Sequence, residues 1–293
     1  MQAQAIRTTH RLDSPREVKE QIALRESASD LVEQHRHAIQ RITSGKDSRF
    51  LTVVGLRDIQ NLEKARLFVE KLRNLNSGYS SLFAVAQIFC PPCDVYSARR
   101  FLMEASKAGI ATGTELNSPF VFNYISDLLS WALLANDMFL PDEDGEAPYS
   151  GFASGLLMPF GLESEYKDVE YAIKMLENAR SQDSFIGADE EGRIVVYDTK
   201  GSNYGHIVIR GSNSPISMMR ESSQLSEEKI PHVVRVDISG NDEDLTVLEK
   251  QMKTAVSLHK EAGSTLNGVY LYCAHDFQFL EYLFRYIHDE LAG

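Results

Sequence analysis

The sequence predicts a (β/α)8 (TIM) barrel, an α/β fold, preceded by a helical extension and carrying one inserted β-hairpin. Three observations predict it. Short apolar runs recur eight times after residue 48, each separated from the next by a segment of helical periodicity. The repeat fills most of the 293 residues, which is the size such barrels need. One segment breaks the alternation with a pattern of period two around a Glu-Glu-Gly turn, as an inserted hairpin would. A doubly wound open sheet is the competing architecture; the count of eight strands favours the barrel.

The elements follow in order. Residues 1–48 read as a mostly helical extension suited to oligomerisation, with Leu24, Ala28, Leu31, Ile39 and Ile42 near helical spacing and Ser44–Gly45 as its stop. The barrel then occupies 49–293. Phe50–Gly55 is the first strand, and Leu62, Ala65, Phe68, Val69 and Leu72 share one face of the helix after it. Leu82–Phe89 is the second strand, before a helix over Ser97–Ala108. Ile110–Leu116 is the third, before a helix through Phe122–Ser130. Trp131–Ala135 and Leu156–Gly161 are the fourth and fifth, with a helix over Tyr166–Ala179 following. Ser184–Tyr197 is the hairpin. His206–Arg210, His232–Ile238 and Gly268–Cys273 complete the eight, and helices carrying Leu245, Leu248, Met252, Val256 and then Leu280, Leu283, Phe284, Ile287 follow the last two.

Charge narrows the chemistry. There are 30 basic and 42 acidic side chains, a net charge of −12. General nucleic-acid binding needs a cationic surface and is not expected. Phosphorylated anions are poor substrates unless cations are concentrated in the pocket. No run approaches ~20 apolar residues, so no membrane span is expected, and the polar N-terminus lacks a signal-peptide core. Three cysteines make no disulfide framework, which points to a reducing cytoplasm.

In a barrel of this class function gathers at the C-terminal ends of the strands. There the chain places Arg57 and Asp58, Cys90-Pro-Pro-Cys93, Glu115, Asn136 and Asp137, Glu163, Arg210, Asp237, and Tyr272-Cys273-Ala274-His275. Glu115, Asp137, Glu163, Asp237, Arg57, Arg210 and Tyr272 are therefore the candidate pocket-lining residues. Cys90, Cys93, Cys273 and His275 come from strands that flank the first strand, and they form a candidate Zn-type thiolate site. The plainer alternative is that the thiols are small apolar fillers, with no cofactor. His35 and His37 are expected on the surface. His206 and His232 open strands at the opposite face of the barrel and carry no expected chemistry.

From about residue 20 onward the chain resembles the class I 3-deoxy-D-arabino-heptulosonate 7-phosphate (DAHP) synthases, which open the shikimate pathway. The resemblance rests on HAIQRITSGKDSRFLTVVG at 37–55, DLLSW at 127–131, FASGLLMPFG at 152–161, GHIVIRG at 205–211, DISGN at 237–241 and KQM at 250–252. It implies metal-dependent condensation of phosphoenolpyruvate with erythrose 4-phosphate, and assembly as dimers or tetramers through the N-terminal extension. Departures from the family pattern are concentrated at the site. Where the resemblance implies a ligand Cys in Gly-Pro-Cys-Ser-Ile-His-Asp, the chain reads Gly55-Leu56-Arg57-Asp58-Ile59-Gln60-Asn61. The implied ligand His and Glu fall at Gly240 and Tyr272, and the loop carrying the last ligand, an Asp, is missing. Ala86 and Pro91-Pro92-Cys93 stand where the family has an Arg and Lys-Pro-Arg, and Asp137 and Glu163 reverse an Arg and a Lys. Arg210 is the one substrate cation retained.

These departures predict a DAHP synthase-like pseudoenzyme with a regulatory or structural role. Its expected partners are a second copy of itself, in a homodimer or higher homo-oligomer, and an active paralogue or pathway enzyme; nucleic acid and membrane are not among them. The alternatives are a repurposed barrel enzyme acting on a less anionic substrate, and residual DAHP synthase activity. The mouth is expected to be partly occluded. Arg210 would pair with Asp237 or Glu163, Arg57 would pair with Glu115, and Tyr272 and Phe89 would plug what remains.

Overall fold

A computed structural model describes residues 11–24, 26–56, 62–89, 94–116, 118–134, 150–163, 169–210, 214–238, 245–272 and 277–292. Eight parallel strands close a barrel: β1 (Phe50–Leu56), β2 (Leu82–Phe89), β3 (Ala111–Glu115), β4 (Trp131–Leu134), β5 (Phe160–Glu163), β8 (Gly205–Arg210), β9 (His232–Asp237) and β10 (Leu266–Tyr272). The order around the barrel is β1-β10-β9-β8-β5-β4-β3-β2. The hairpin β6 (Ser184–Ala188) and β7 (Ile194–Asp198) stands apart as an antiparallel two-stranded sheet. Helices α3 (Leu62–Gly78), α4 (Val95–Lys107), α5 (Pro119–Ile125), α6 (Val169–Ala179), α7 (Pro215–Glu227), α8 (Leu245–Lys260) and α9 (Phe277–Ala292) follow the strands. No helix among the described residues is long and apolar enough to cross a membrane.

Strand alternation divides the core in two. Phe50, Val54, Ala84, Ala86, Ile88, Ala132, Leu162, Ile207, Val234 and Leu271 face outward into one continuous cluster with the helices. Leu51, Val53, Phe83, Val85, Ala111, Trp131, Leu133, Val208, Val233 and Tyr270 face inward and fill the barrel. Close strand contact needs small residues: a Cβ on Gly268 would lie 1.9 Å from the Leu51 carbonyl oxygen, and one on Gly161 would lie 2.5 Å from Val208.

Two helices precede the barrel. Helix α1 (Pro15–Gln21) starts with a capping box, in which the Ser14 hydroxyl accepts from the Glu17 N–H while the Glu17 carboxylate accepts from the Ser14 N–H. Helix α2 (Glu26–Thr43) buries Ala28, Val32, Ile39 and Ile42. Val32, and not Leu31, completes this stripe. Ile39 and Ile42 join the interior cluster, and Asn267 donates to the Ile42 carbonyl at 3.0 Å, so α2 closes the N-terminal end of the barrel.

Other boundaries also differ from expectation. The fifth barrel strand is Phe160–Glu163; Leu156 and Met158 are buried but lie outside it. Pro159 lacks the N–H a ladder needs, and a 3-10 segment at Ser150–Gly155 leads in. The helix expected through Phe122–Ser130 begins earlier, at Pro119, where the Ser118 hydroxyl caps it, and passes at Ser126 into a 3-10 turn. His35, expected on the surface, is only partly exposed. Its ring meets Phe83 edge-on at 5.8 Å, and burial, with the Arg49 charge, lowers its pKa to about 4. His37 is exposed.

Candidate functional site at the barrel mouth and a lateral cavity

Glu115, Glu163, Arg210, Asp237 and Tyr272 were expected just beyond or at the ends of their strands. Each is in fact the last residue of its strand. Glu163 is entirely buried, and Arg235, two residues before the end of β9, is 6% exposed. The Arg235 guanidinium donates through Nη1 to both Glu163 oxygens, at 2.7 and 2.8 Å, and through Nε to Asp237 at 2.7 Å. Asp237 also accepts from Arg210 at 3.4 Å. The Tyr272 ring lies 3.8 Å beneath the Arg235 guanidinium carbon, and Tyr270 lies 5.8 Å away. Burial works against the Arg235 charge, but Glu163 and Asp237 outweigh it and hold its pKa above the ordinary arginine value. Burial, with the nearby Glu115 charge, raises the Tyr270 phenol.

Deeper in the barrel, Trp131 Nε1 donates to His206 Nε2 at 3.2 Å, and the two rings are stacked. The proton of the neutral His206 therefore sits on Nδ1. Burial lowers its pKa to about 3. His232 faces outward instead: its Nε2 meets the Ser222 hydroxyl at 2.8 Å and its Nδ1 the Ile230 carbonyl at 3.0 Å, bracing β9 against α7.

Arg57, Asp137, Cys90, Cys93, Cys273 and His275 lie outside the described residues, as do Gly240 and the Phe89 side chain. Ala86 faces the outer helices, so it does not stand where a substrate cation would project into the mouth; Gln87, the next residue, has the inward parity. Arg235 was overlooked because it sits inside the run Val233-Val234-Arg235-Val236. The alternation Val233, Arg235, Asp237 on the inward face was the available signal.

The described part of the mouth does not fit a divalent metal. Both Glu163 oxygens are engaged by a guanidinium, and Tyr272, at the position of an implied carboxylate ligand, is covered by the same guanidinium. Among the described residues no group of three or more His, Cys, Asp or Glu is placed to hold a metal ion.

A second concavity lies on the barrel's flank, with a volume of about 390 Å³. Its walls come from α5 (Phe122, Asn123), the 3-10 segment (Phe152, Ser154) and the hairpin (Phe185, Tyr197). Phe152 meets Phe122 and Phe185 edge-on at 5.3 and 5.2 Å, and Phe185 stacks on Tyr197 at 5.1 Å. Asp198, Thr199 and Lys200 bring polar groups to the rim. Four separated stretches of chain build this cavity, and no local pattern announced it. Apolar walls with a few polar groups suit a small organic ligand.

The architecture is a (β/α)8 barrel in which the described mouth residues Glu163, Arg235, Asp237 and Arg210 are ion-paired with one another. No family model matches the chain. It is 25% identical over 205 residues to the Trp-sensitive phospho-2-dehydro-3-deoxyheptonate aldolase of Escherichia coli strain K12, covering 61% of this chain and 58% of that protein. The Enterobacter agglomerans Trp-sensitive enzyme is 25% identical over 268 residues, 80% of this chain and 75% of its own. The Salmonella typhimurium Tyr-sensitive enzyme is 25% identical over 242 residues, 74% and 67%. The solved aldolase of that name from Francisella tularensis SCHU S4 superposes with a TM-score of 0.81 over 98% of both chains, at 15% identity. By these matches the chain is similar in sequence to DAHP synthases and shares the fold of one, while spanning 58% of the length of the E. coli relative.

Proposed function

We propose that this chain is a DAHP synthase-like pseudoenzyme with a regulatory role, which binds an aromatic amino acid in the lateral cavity and does not condense phosphoenolpyruvate with erythrose 4-phosphate. The observation that carries the reading is Glu163, buried at the end of β5 with both oxygens held by Arg235. Two phosphorylated substrates need cations converging on the mouth. Here Arg235 is consumed internally and Arg210 leans on Asp237. Replacing a buried cationic partner of a bound anion by an acid costs at least about 2–5 kcal/mol per contact. The cavity supports the regulatory half. Four aromatic rings line it, and the names of relatives record sensitivity to tryptophan or tyrosine. A regulator of this kind acts on an active paralogue, and the helical extension supports self-association.

Two assays test this. Purified protein given phosphoenolpyruvate, erythrose 4-phosphate and Mn²⁺, Co²⁺ or Fe²⁺ is expected to yield no condensation product above the protein-free rate; sustained turnover would overturn the pseudoenzyme reading. Calorimetric titration with L-tryptophan, L-tyrosine and L-phenylalanine is expected to show one saturable site. Heat of dilution alone with all three would overturn the effector reading.

A further inference from the structure

The barrel interior holds polar groups that the ion pairs at the mouth leave unanswered. Phe83 and Val85 of β2 face inward, so by alternation Gln87 does too, and it is entirely buried. A side-chain amide can donate two hydrogen bonds through its NH2 group and accept two at its carbonyl oxygen. Among the described residues neither end of the Gln87 amide has a partner. An amide buried in this way costs the fold free energy at both ends, and folded proteins keep few such groups. The strands on either side present no side chain beside it. Its neighbours in register are Gly55 on β1 and Gly113 on β3. Three adjacent inward positions therefore read Gly-Gln-Gly, and only the middle one bears a side chain.

A second such group stands next to it. Tyr270 of β10 is fully buried, and its hydroxyl lies 3.4 Å from the position a Cβ on Gly55 would take, over the strand that adjoins Gln87. The hydroxyl is near enough for the amide to act on it, yet the two do not meet in hydrogen-bond geometry. Apolar surface completes the surroundings. Val85 and the Trp131 indole lie 3.2 and 3.1 Å from where a Cβ on Gly113 would be. The nearby guanidinium of Arg235 is already held by Glu163 and Asp237. One level nearer the mouth, Glu115 and Tyr272 end their strands partly exposed, which brings solvent close to this layer.

We infer that the barrel interior around Gln87 and Tyr270 is a binding site for a small neutral molecule that bears a donor and an acceptor side by side, as a primary carboxamide does. The Gln87 carbonyl accepts from the guest's N–H, the Gln87 NH2 group donates to the guest's carbonyl, and the Tyr270 hydroxyl supplies a third contact. Two amides are complementary in this way because each carries both functions. Neutrality follows from the setting: a charged guest would have to be taken out of water beside ions that are already paired. The inference uses neither the lateral cavity nor any phosphorylated substrate, so it stands or falls apart from the proposed function.

The test uses the full chain and two probes of the same shape, acetamide and acetate. Saturation-transfer NMR at neutral pH is expected to show saturable binding of acetamide and none of acetate, and acetamide is expected to raise the melting temperature followed by circular dichroism. Tyr270→Phe keeps a ring near Arg235 and loses only the hydroxyl; it is expected to weaken acetamide binding about tenfold. Gln87→Leu is expected to abolish it. Because leucine removes a buried group that the fold itself leaves unpaired, Gln87→Leu without acetamide is expected to melt no lower than the parent. No saturable acetamide signal, acetate bound as tightly as acetamide, or an unchanged affinity in Gln87→Leu overturns the site. So does a Gln87→Leu protein that melts well below the parent, since the amide would then be partnered within the fold.

Discussion

Arg235 Nη1 donates to both carboxylate oxygens of Glu163 inside the barrel, with Glu163 fully buried. Each charge has been taken out of water and is compensated by the other, and Arg235 also by Asp237. Removing one partner strands its mate. Glu163→Leu alone, or Arg235→Met alone, is expected to lower stability by about 3–5 kcal/mol. The double variant Glu163→Leu/Arg235→Met is expected to cost much less than the sum of the two. Urea unfolding of the three variants checks it; additive losses would mean that the pair is not a unit.

Three histidines are held neutral by burial: His206, with a pKa of about 3, and His35 and His232, each about 4. In the unfolded chain each titrates near 6.5. Below that value the unfolded state binds more protons than the folded one, so stability falls as pH drops from about 6.5 toward 4. Above 7 these groups contribute no slope. Urea midpoints measured at pH 7.5, 6 and 5 are expected to decline in that order. His206→Asn is expected to make the decline shallower, by up to one proton's worth of slope; an unchanged slope would place that imidazole in water.

A Cβ at residue 268 would meet the Leu51 carbonyl oxygen at 1.9 Å, at the first pair of the β1–β10 ladder. Backbone, not a flexible side chain, is the obstacle. Gly268→Ala is expected to lower stability by about 3 kcal/mol through local separation of the two strands. Gly263→Ala keeps the barrel spacing intact, since its Cβ meets nothing within 4 Å, and pays only for a positive φ of 84°. Thermal melts of the two variants side by side are expected to show the larger drop for residue 268.

Phe185 stacks on Tyr197 and meets Phe152 edge-on across the lateral cavity. Phe185→Ala is expected to weaken aromatic amino-acid binding about tenfold or more, a loss of about 1.4 kcal/mol. The mouth network should be untouched, so the urea response of the Glu163–Arg235 variants is expected to be the same in this background. Binding that survives Phe185→Ala unchanged would move the ligand elsewhere.

The barrel was legible because each strand is a short apolar run, and because an eightfold count has few architectural solutions. Boundaries were less so. Leu156 and Met158 are as apolar as any strand residue, yet Pro159 breaks the ladder before it can start, and β5 begins one residue later. At the mouth, the reversal at Glu163 was visible but its partner was not. Arg235 looks like a lone charge in a run of valines until the inward parity of Val233, Arg235 and Asp237 is applied. Spacing along a strand likewise cannot reveal that Ala86 faces outward and Gln87 inward until the register is fixed. The cavity escaped altogether. Its aromatic rings come from residues 122, 152, 185 and 197, which only the folded chain brings together.

Trp131 is the chain's one tryptophan, and it is wholly buried near the barrel's axis, stacked on a neutral imidazole. Its fluorescence therefore reports on the barrel interior alone, with no surface indole to blur the signal. Emission should stay at short wavelength while the hairpin or N-terminal extension comes loose, and shift to the red only when the strands part. Acid that protonates His206 places a cation against the indole and should quench it. The protein thus carries its own optical gauge, one that separates motion of the periphery from failure of the barrel.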